Sequence, residues 1–134
     1  MSSDRLQRYL TSFHRAIDRL ADALAQPKNE YLRDAAIQRF EFTFELAWKV
    51  MKTYVEGQGL EARSPREAIR MAFQTKLVPE DTGWLTMIEL RNLASHTYDE
   101  ALAERVYGQL PSMLTHFRNL LTELQKKGTD NFSS

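Results

Sequence analysis

The sequence predicts an all-α fold, an up-and-down antiparallel four-helix bundle with one additional short helix. Three observations carry that prediction. Apolar residues recur at alternating spacings of three and four through long stretches, which is the pattern of one helical stripe. Brief turn signals, Pro27-Lys28-Asn29, Gly57-Gln58-Gly59 and Ser64-Pro65, separate those stretches and favour antiparallel neighbours. No segment of useful length alternates with the period of two that a strand requires, and no internal repeat is present.

The first helix is expected over residues 4–26, where Leu6, Leu10, Phe13, Ile17, Leu20 and Leu24 form the stripe and Arg5, Arg15, Arg19 and Asp22 fall largely off it. The second is expected over residues 30–55. Its broad face of Ile37, Phe40, Phe44, Ala47, Trp48, Met51 and Val55 is rich in aromatics, which marks the central core helix. Glu45 stands four residues before Lys49, a stabilising order on a helix surface. Gly57-Gln58-Gly59 ends the helix because glycine takes the left-handed cap conformation freely. The third, short helix opens at Ser64-Pro65-Arg66-Glu67, where serine caps, proline suits the first helical position and glutamate completes a capping box. It ends near Gln74.

The fourth helix is expected to start near Asp81, with Trp84, Leu85, Ile88 and Leu93 facing inward. The fifth is expected to start between Thr97 and Asp99, with Thr97 and Glu100 as a cap pair. Its stripe is Leu102, Val106, Leu110, Met113, Phe117, Leu120 and Leu124. Pro111 inside it should kink the helix, since it removes one hydrogen bond. Gly128 is expected to stop the helix within a polar tail, residues 126–134, that follows a core of about residues 5–125. Residues 1–134 then make a single domain of ordinary size.

Composition excludes several chemistries. The chain has no cysteine, so it forms no disulfide, carries no thiolate nucleophile and offers no cysteine zinc site. His14, His96 and His116 are scattered and form no metal-binding pair at helical spacing, so no metal is expected. Lysine plus arginine number 18 and aspartate plus glutamate 18, for a formal charge of zero. Any nucleic-acid contact must therefore come from local clustering or from oligomerisation. No apolar run is long enough for a signal core or a membrane span, which points to the cytoplasm.

One stretch concentrates phosphate-directed groups: Arg91, Asn92, His96 and Tyr98 lie within eight residues. Metal-free cleavage of RNA needs a base for the 2′-hydroxyl, an acid for the 5′-oxygen and positive charge at the phosphorane. Histidine titrates near pH ~6.5 and serves either proton transfer. Arginine offers a planar cationic fork to phosphate oxygens. Asn92 can orient the imidazole or donate to phosphate. On an unbroken helix Arg91 and His96 would point roughly 140° apart. They converge only if the helix ends between them or a second copy supplies one of them. A two-fold dimer would also supply the second histidine. The alternative is structural: Arg91 pairs with Glu89 or Asp99, and His96 caps a helix end.

Arg91-Asn92-Leu93-Ala94-Ser95-His96-Thr97-Tyr98 resembles the Arg-polar-x3-His motif of HEPN domains in its Arg-x4-His-x-Tyr form. Gln38 to Lys49, Ser64 to Ile69 and Arg91 to Glu100 resemble the nucleotidyltransferase substrate-binding subunit family, in order along residues 5–124. The resemblance implies a dimerising helical bundle encoded beside a minimal nucleotidyltransferase (MNT). In the type VII toxin–antitoxin form it implies a metal-independent ribonuclease toxin that needs no cofactor of its own. Arg91 and His96 would then be catalytic, with Asn92 in support. The MNT antitoxin would transfer AMP from ATP to Tyr98. The older family name implies a non-catalytic subunit that presents substrate to the transferase.

Other candidates are weaker. Arg63, Arg66, Arg70 and Lys76 surround the third helix and would contact the RNA backbone or a partner, or else are merely solvated. Glu41 and Glu45, four apart, resemble a carboxylate pair and are expected on an exposed face with Glu45 paired to Lys49, or else in contact with the motif or a partner. Trp48 and Trp84 are expected in the core, Tyr107 in packing, and His14 and His116 in structural or exposed positions.

Overall fold

The apolar stripes fold as the helices their spacing implies. The computed structural model describes the backbone of residues 2–133 and the side chains of residues 4–127. Five helices follow in order: α1 (Ser2–Ala25), α2 (Glu30–Gly57), α3 (Pro65–Gln74), α4 (Gly83–Leu93) and α5 (Glu100–Ser133), with a 3₁₀ turn, Ala94–His96, between the last two. No strand occurs among the described residues. α1 packs along α2, α5 lies against both, α4 packs on α5, and short α3 fills the end between α2 and α4.

Phe117 of α5 is the hub of the core. Its ring meets Phe13 of α1 at 6.0 Å, Phe40 of α2 at 6.0 Å and Trp84 of α4 at 5.8 Å. The Phe13 and Trp84 contacts are edge-on, the arrangement that aromatic quadrupoles favour. All four bundle helices are therefore tied through one side chain.

The caps follow local chemistry. Asn29 accepts from the Leu32 amide at 2.8 Å and starts α2. At its other end Gly59 takes φ +86°, while Gly59 N–H donates to Glu56 O and Leu60 N–H to Val55 O, a Schellman motif. Ser64 accepts from the Glu67 amide at 3.2 Å. The Glu67 carboxylate reaches one residue past the cap, to the Arg63 amide at 2.8 Å, rather than closing a standard box. α3 ends in a second Schellman motif, with Lys76 N–H to Phe73 O and Leu77 N–H to Ala72 O. Here Lys76, not a glycine, holds the left-handed position at φ 62°.

Several local expectations are corrected. α4 begins at Gly83, where the Asp81 carboxylate accepts from the Gly83 amide at 2.8 Å. Its buried face is Trp84, Met87 and Leu90, leaving Leu85, Ile88 and Leu93 only partly buried. Asp99, not Thr97, caps α5 by accepting from Leu102 N–H at 3.2 Å, because Thr97 and Tyr98 still belong to the turn. Glu100 is turned instead towards Arg33. α5 runs on through Gly128 to Ser133, so Gly128 does not stop it; Pro111 lies within its span. Trp48 is only partly buried and donates its indole N–H to Glu45 at 3.0 Å.

Candidate functional site

The Arg91–Tyr98 stretch sits where α4 runs out. The helix closes at Leu93 and tightens into the 3₁₀ turn, so a helix end does fall between Arg91 and His96. Arg91 is in the last turn of α4 and its guanidinium points inward across α2. Its Nη1 donates to Glu45 Oε1 at 2.7 Å, with both side chains about one third exposed. The guanidinium carbon lies 5.6 Å from the Phe44 ring centre, a cation–π contact. Arg91 Nε is buried with no hydrogen-bond partner among the described residues. Arg91 thus pairs with neither Glu89 nor Asp99.

Glu45 does not pair with Lys49 either. Its two oxygens serve Arg91 and Trp48. Glu41, one turn earlier, shares this environment. Burial holds its carboxyl above the ordinary range, Arg91 opposes the shift, and the neighbouring charge of Glu45 reinforces it. Glu41, Glu45, Gln38, Phe42 and Arg91 line an open hollow of about 350 Å³. The solvated face expected for these acids is therefore half covered.

His96 and Tyr98 lie at the surface. His96 ends the 3₁₀ turn with an exposed ring. Its Nδ1 lies 2.8 Å from the Tyr98 hydroxyl, and the two rings meet edge to face at 5.6 Å. Tyr98 is 81% exposed. The contact suits both neutral tautomers. If Nδ1–H donates to the phenol oxygen, Nε2 is a free base; if the phenol donates to Nδ1, Nε2 carries the proton. Asn92 is exposed; its carbonyl accepts from Ser95 Oγ at 3.0 Å, and its carboxamide makes no hydrogen bond among the described residues. Within one chain no hydrogen bond, ion pair or ring contact joins Arg91 to His96.

An ionic clamp that sequence reasoning missed fixes this turn. Arg33 of α2 is 2% exposed. Its Nη1 and Nη2 donate to the two Glu100 oxygens at 2.7 and 3.1 Å, Nη1 also to Glu104 at 3.0 Å, and Nε to Asp34 at 3.0 Å. Lys28 bonds Glu104 as well. The Arg33 hydrogen bond holds the Glu100 carboxyl below its ordinary range; Lys28 first and Arg33 second do so for Glu104. Glu100 and Glu104, and then Asp34, hold the Arg33 proton more tightly than usual against the opposing effect of burial. Glu100 follows Tyr98 by two residues, so the clamp sets where the motif turn re-enters a helix.

The α3 cations are brought to no common partner. Arg63 pairs with Glu61 at 3.0 Å, while Arg66, Arg70 and Lys76 are exposed and unpaired among the described residues. His116 is structural: it lies edge-on to Trp84 at 6.2 Å, 2.9 Å from Ser112 O and 3.5 Å from Asp81. His14 is exposed beside Asp18 at 3.8 Å. Tyr107 is partly buried under the Lys28 cation. Among the described residues no helix is long and apolar enough to cross a membrane.

Residues 6–126 match the family described as nucleotidyltransferase substrate binding protein like. A Haemophilus influenzae protein named "Probable ribonuclease HepT" is 32% identical over 97 residues, 69% of this chain. The chain spans just under two thirds, 66%, of that relative's length. A crystal structure from Thermus thermophilus superposes with TM-score 0.79 at 35% identity, covering 84% of this chain and 98% of the other. A Haemophilus influenzae structure, described as the fold of a substrate binding domain of a nucleotidyltransferase, gives TM-score 0.68 at 27% identity, covering 91% and 98%.

Proposed function

The chain belongs to the nucleotidyltransferase substrate binding protein-like family, and from that premise we propose that it is a HepT-like endoribonuclease toxin. It is metal-independent, acts as a homodimer, and is silenced when an MNT antitoxin transfers AMP from ATP to Tyr98. The observation that carries this reading is the exposed His96–Tyr98 pair at 2.8 Å on the turn that ends α4. It sets a proton-transfer group and a modifiable hydroxyl side by side. The relative named as a ribonuclease lends support.

The chemistry uses side chains alone. His96 Nε2 takes the 2′-hydroxyl proton as the oxygen attacks phosphorus. The P–O5′ bond breaks, and the partner subunit's His96 protonates the leaving 5′-oxygen. The products are a 2′,3′-cyclic phosphate and a 5′-hydroxyl. Arg91 neutralises the charge that builds on the non-bridging oxygens, with Asn92 donating beside it. The Arg91–Glu45 pair must loosen or share its cation for this step. AMP on Tyr98 would place a phosphodiester charge and a nucleoside against His96, blocking it from RNA.

A second reading, a non-catalytic subunit presenting substrate to a nucleotidyltransferase, is favoured by one observation. In a single chain Arg91 is neutralised by Glu45 and stays out of contact with His96. Purified protein is incubated with RNA in excess EDTA beside His96→Ala. Cleavage to cyclic-phosphate ends by the wild type alone is expected; intact RNA in both, with a dimer by light scattering, rejects the ribonuclease. Intact mass after co-expression with an MNT should rise by one or more AMP units, and Tyr98→Phe should abolish the rise. A persistent rise in Tyr98→Phe rejects the modification site.

A further inference from the structure

The outer surface of α1 and α2 carries a groove that the site above does not use. It measures about 400 Å³ and is lined by Arg15 and Arg19 of α1 and by Gln38, Arg39, Phe42 and Leu46 of α2, among others. None of its lining residues is acidic, although the whole chain is neutral. Arg15, Arg19 and Arg39 make no ion pair among the described residues. Arg39 is held across the groove by donating from Nη1 to the Arg19 carbonyl at 2.8 Å. Phe42 is 63% exposed. Phe42 and Gln38 also line the hollow that contains Arg91, so the two depressions share a wall.

We propose that this groove is the track for a single-stranded RNA leading to Arg91, with the arginines on phosphates and one base stacked on Phe42. The inference deepens the ribonuclease reading and rests on it for the identity of the strand. Three unpaired guanidinium groups beside an exposed aromatic ring are the two elements single-strand binding combines. A second copy of the chain fits worse on charge. A two-fold axis through the groove would set arginines against arginines. Arg63, Arg66, Arg70 and Lys76 do not line the Arg91 hollow.

The test measures binding of a short fluorescein-labelled single-stranded RNA by anisotropy, in a His96→Ala background so that the probe survives. The triple variant Arg15→Gln, Arg19→Gln, Arg39→Gln is expected to weaken binding at least about tenfold and to lower the slope of log Kd against log salt by about 2. Phe42→Ala is expected to weaken binding about 5- to 100-fold with the slope unchanged. Arg66→Gln with Arg70→Gln should leave binding as in the parent. Parent-like binding by the triple variant overturns the track, as does a loss confined to the α3 variant. A dimer that becomes a monomer on Phe42→Ala, by light scattering, also overturns it, because the groove is then an interface between copies. Cleavage of the same RNA by the unsubstituted protein is read in parallel. Cleavage with parent-like triple-variant binding rejects the track alone. Groove-dependent binding without cleavage upholds the track and rejects the ribonuclease.

Discussion

Replacing Arg33 by methionine should cost about 2 kcal/mol of folding free energy at neutral pH. Methionine keeps most of the buried stem, so little cavity forms. What disappears is a set of charge-assisted hydrogen bonds to Glu100, Glu104 and Asp34. Removing one side of a buried ion pair often costs more, about 3–5 kcal/mol, because the remaining charge is stranded. Here the three carboxylates keep 65%, 44% and 40% of their side-chain surface in solvent. They regain water, which places the estimate at the low end. For a chain of 134 residues the loss lowers Tm by about 7 °C. The effect depends on pH with a defined sign. Glu100 and Glu104 titrate below the ordinary value of 4.5, so their contribution is present above that value and fades as pH falls through the lower folded one. Calorimetry of both proteins from pH 7 to pH 3 should show a gap that narrows in acid. A variant within about 0.5 kcal/mol of wild type at pH 7, or a gap that widens in acid, refutes the clamp.

Three further substitutions test other features. Lys76→Gly should stabilise the protein by about 0.5 kcal/mol in urea unfolding, since relief at the left-handed position exceeds the added freedom of the unfolded chain. Gly83→Ala should destabilise by about 1–2 kcal/mol, because the new methyl would meet His116 Nε2 at 2.2 Å; in a His116→Ala background the same change should turn neutral or stabilising. Glu41→Gln should raise Tm at neutral pH, because burial penalises the Glu41 charge. That gain should shrink as pH falls and the native carboxyl takes up its proton.

The fold was legible because helical stripes are local. Leu10, Phe13, Ile17 and Leu20 announce their face within about three turns of helix, and Ser64-Pro65 announces a start in two residues. α4 was harder: Leu85 and Ile88 also obey helical spacing, and only the position of α5 decides that Trp84, Met87 and Leu90 are the buried set. The motif turn was found because its residues are adjacent. Its Arg33 support was not, since Arg33 meets Glu100 and Glu104 across 67 and 71 residues, and Glu45, which meets Arg91 across 46, was open only as an alternative. A signal for Arg33 did exist. It stands four residues before Ile37 and extends the apolar stripe of α2, where a charge must find partners. Glu41 and Glu45 gave a weaker signal: their four-residue spacing left contact with the motif open, but helix faces that are half covered look like solvated ones.

The proposed modification site, Tyr98, is kept apart from the scaffold. Its phenol is 81% exposed, and its hydroxyl meets His96, which is itself on the surface. A bulky group attached to that oxygen displaces no core side chain and opens no cavity. The folded state is therefore equally accessible with or without it, and a thermal melt would register almost nothing while the imidazole beside it loses its approach to solvent. Information written at this oxygen is invisible to the bundle and legible only at the site.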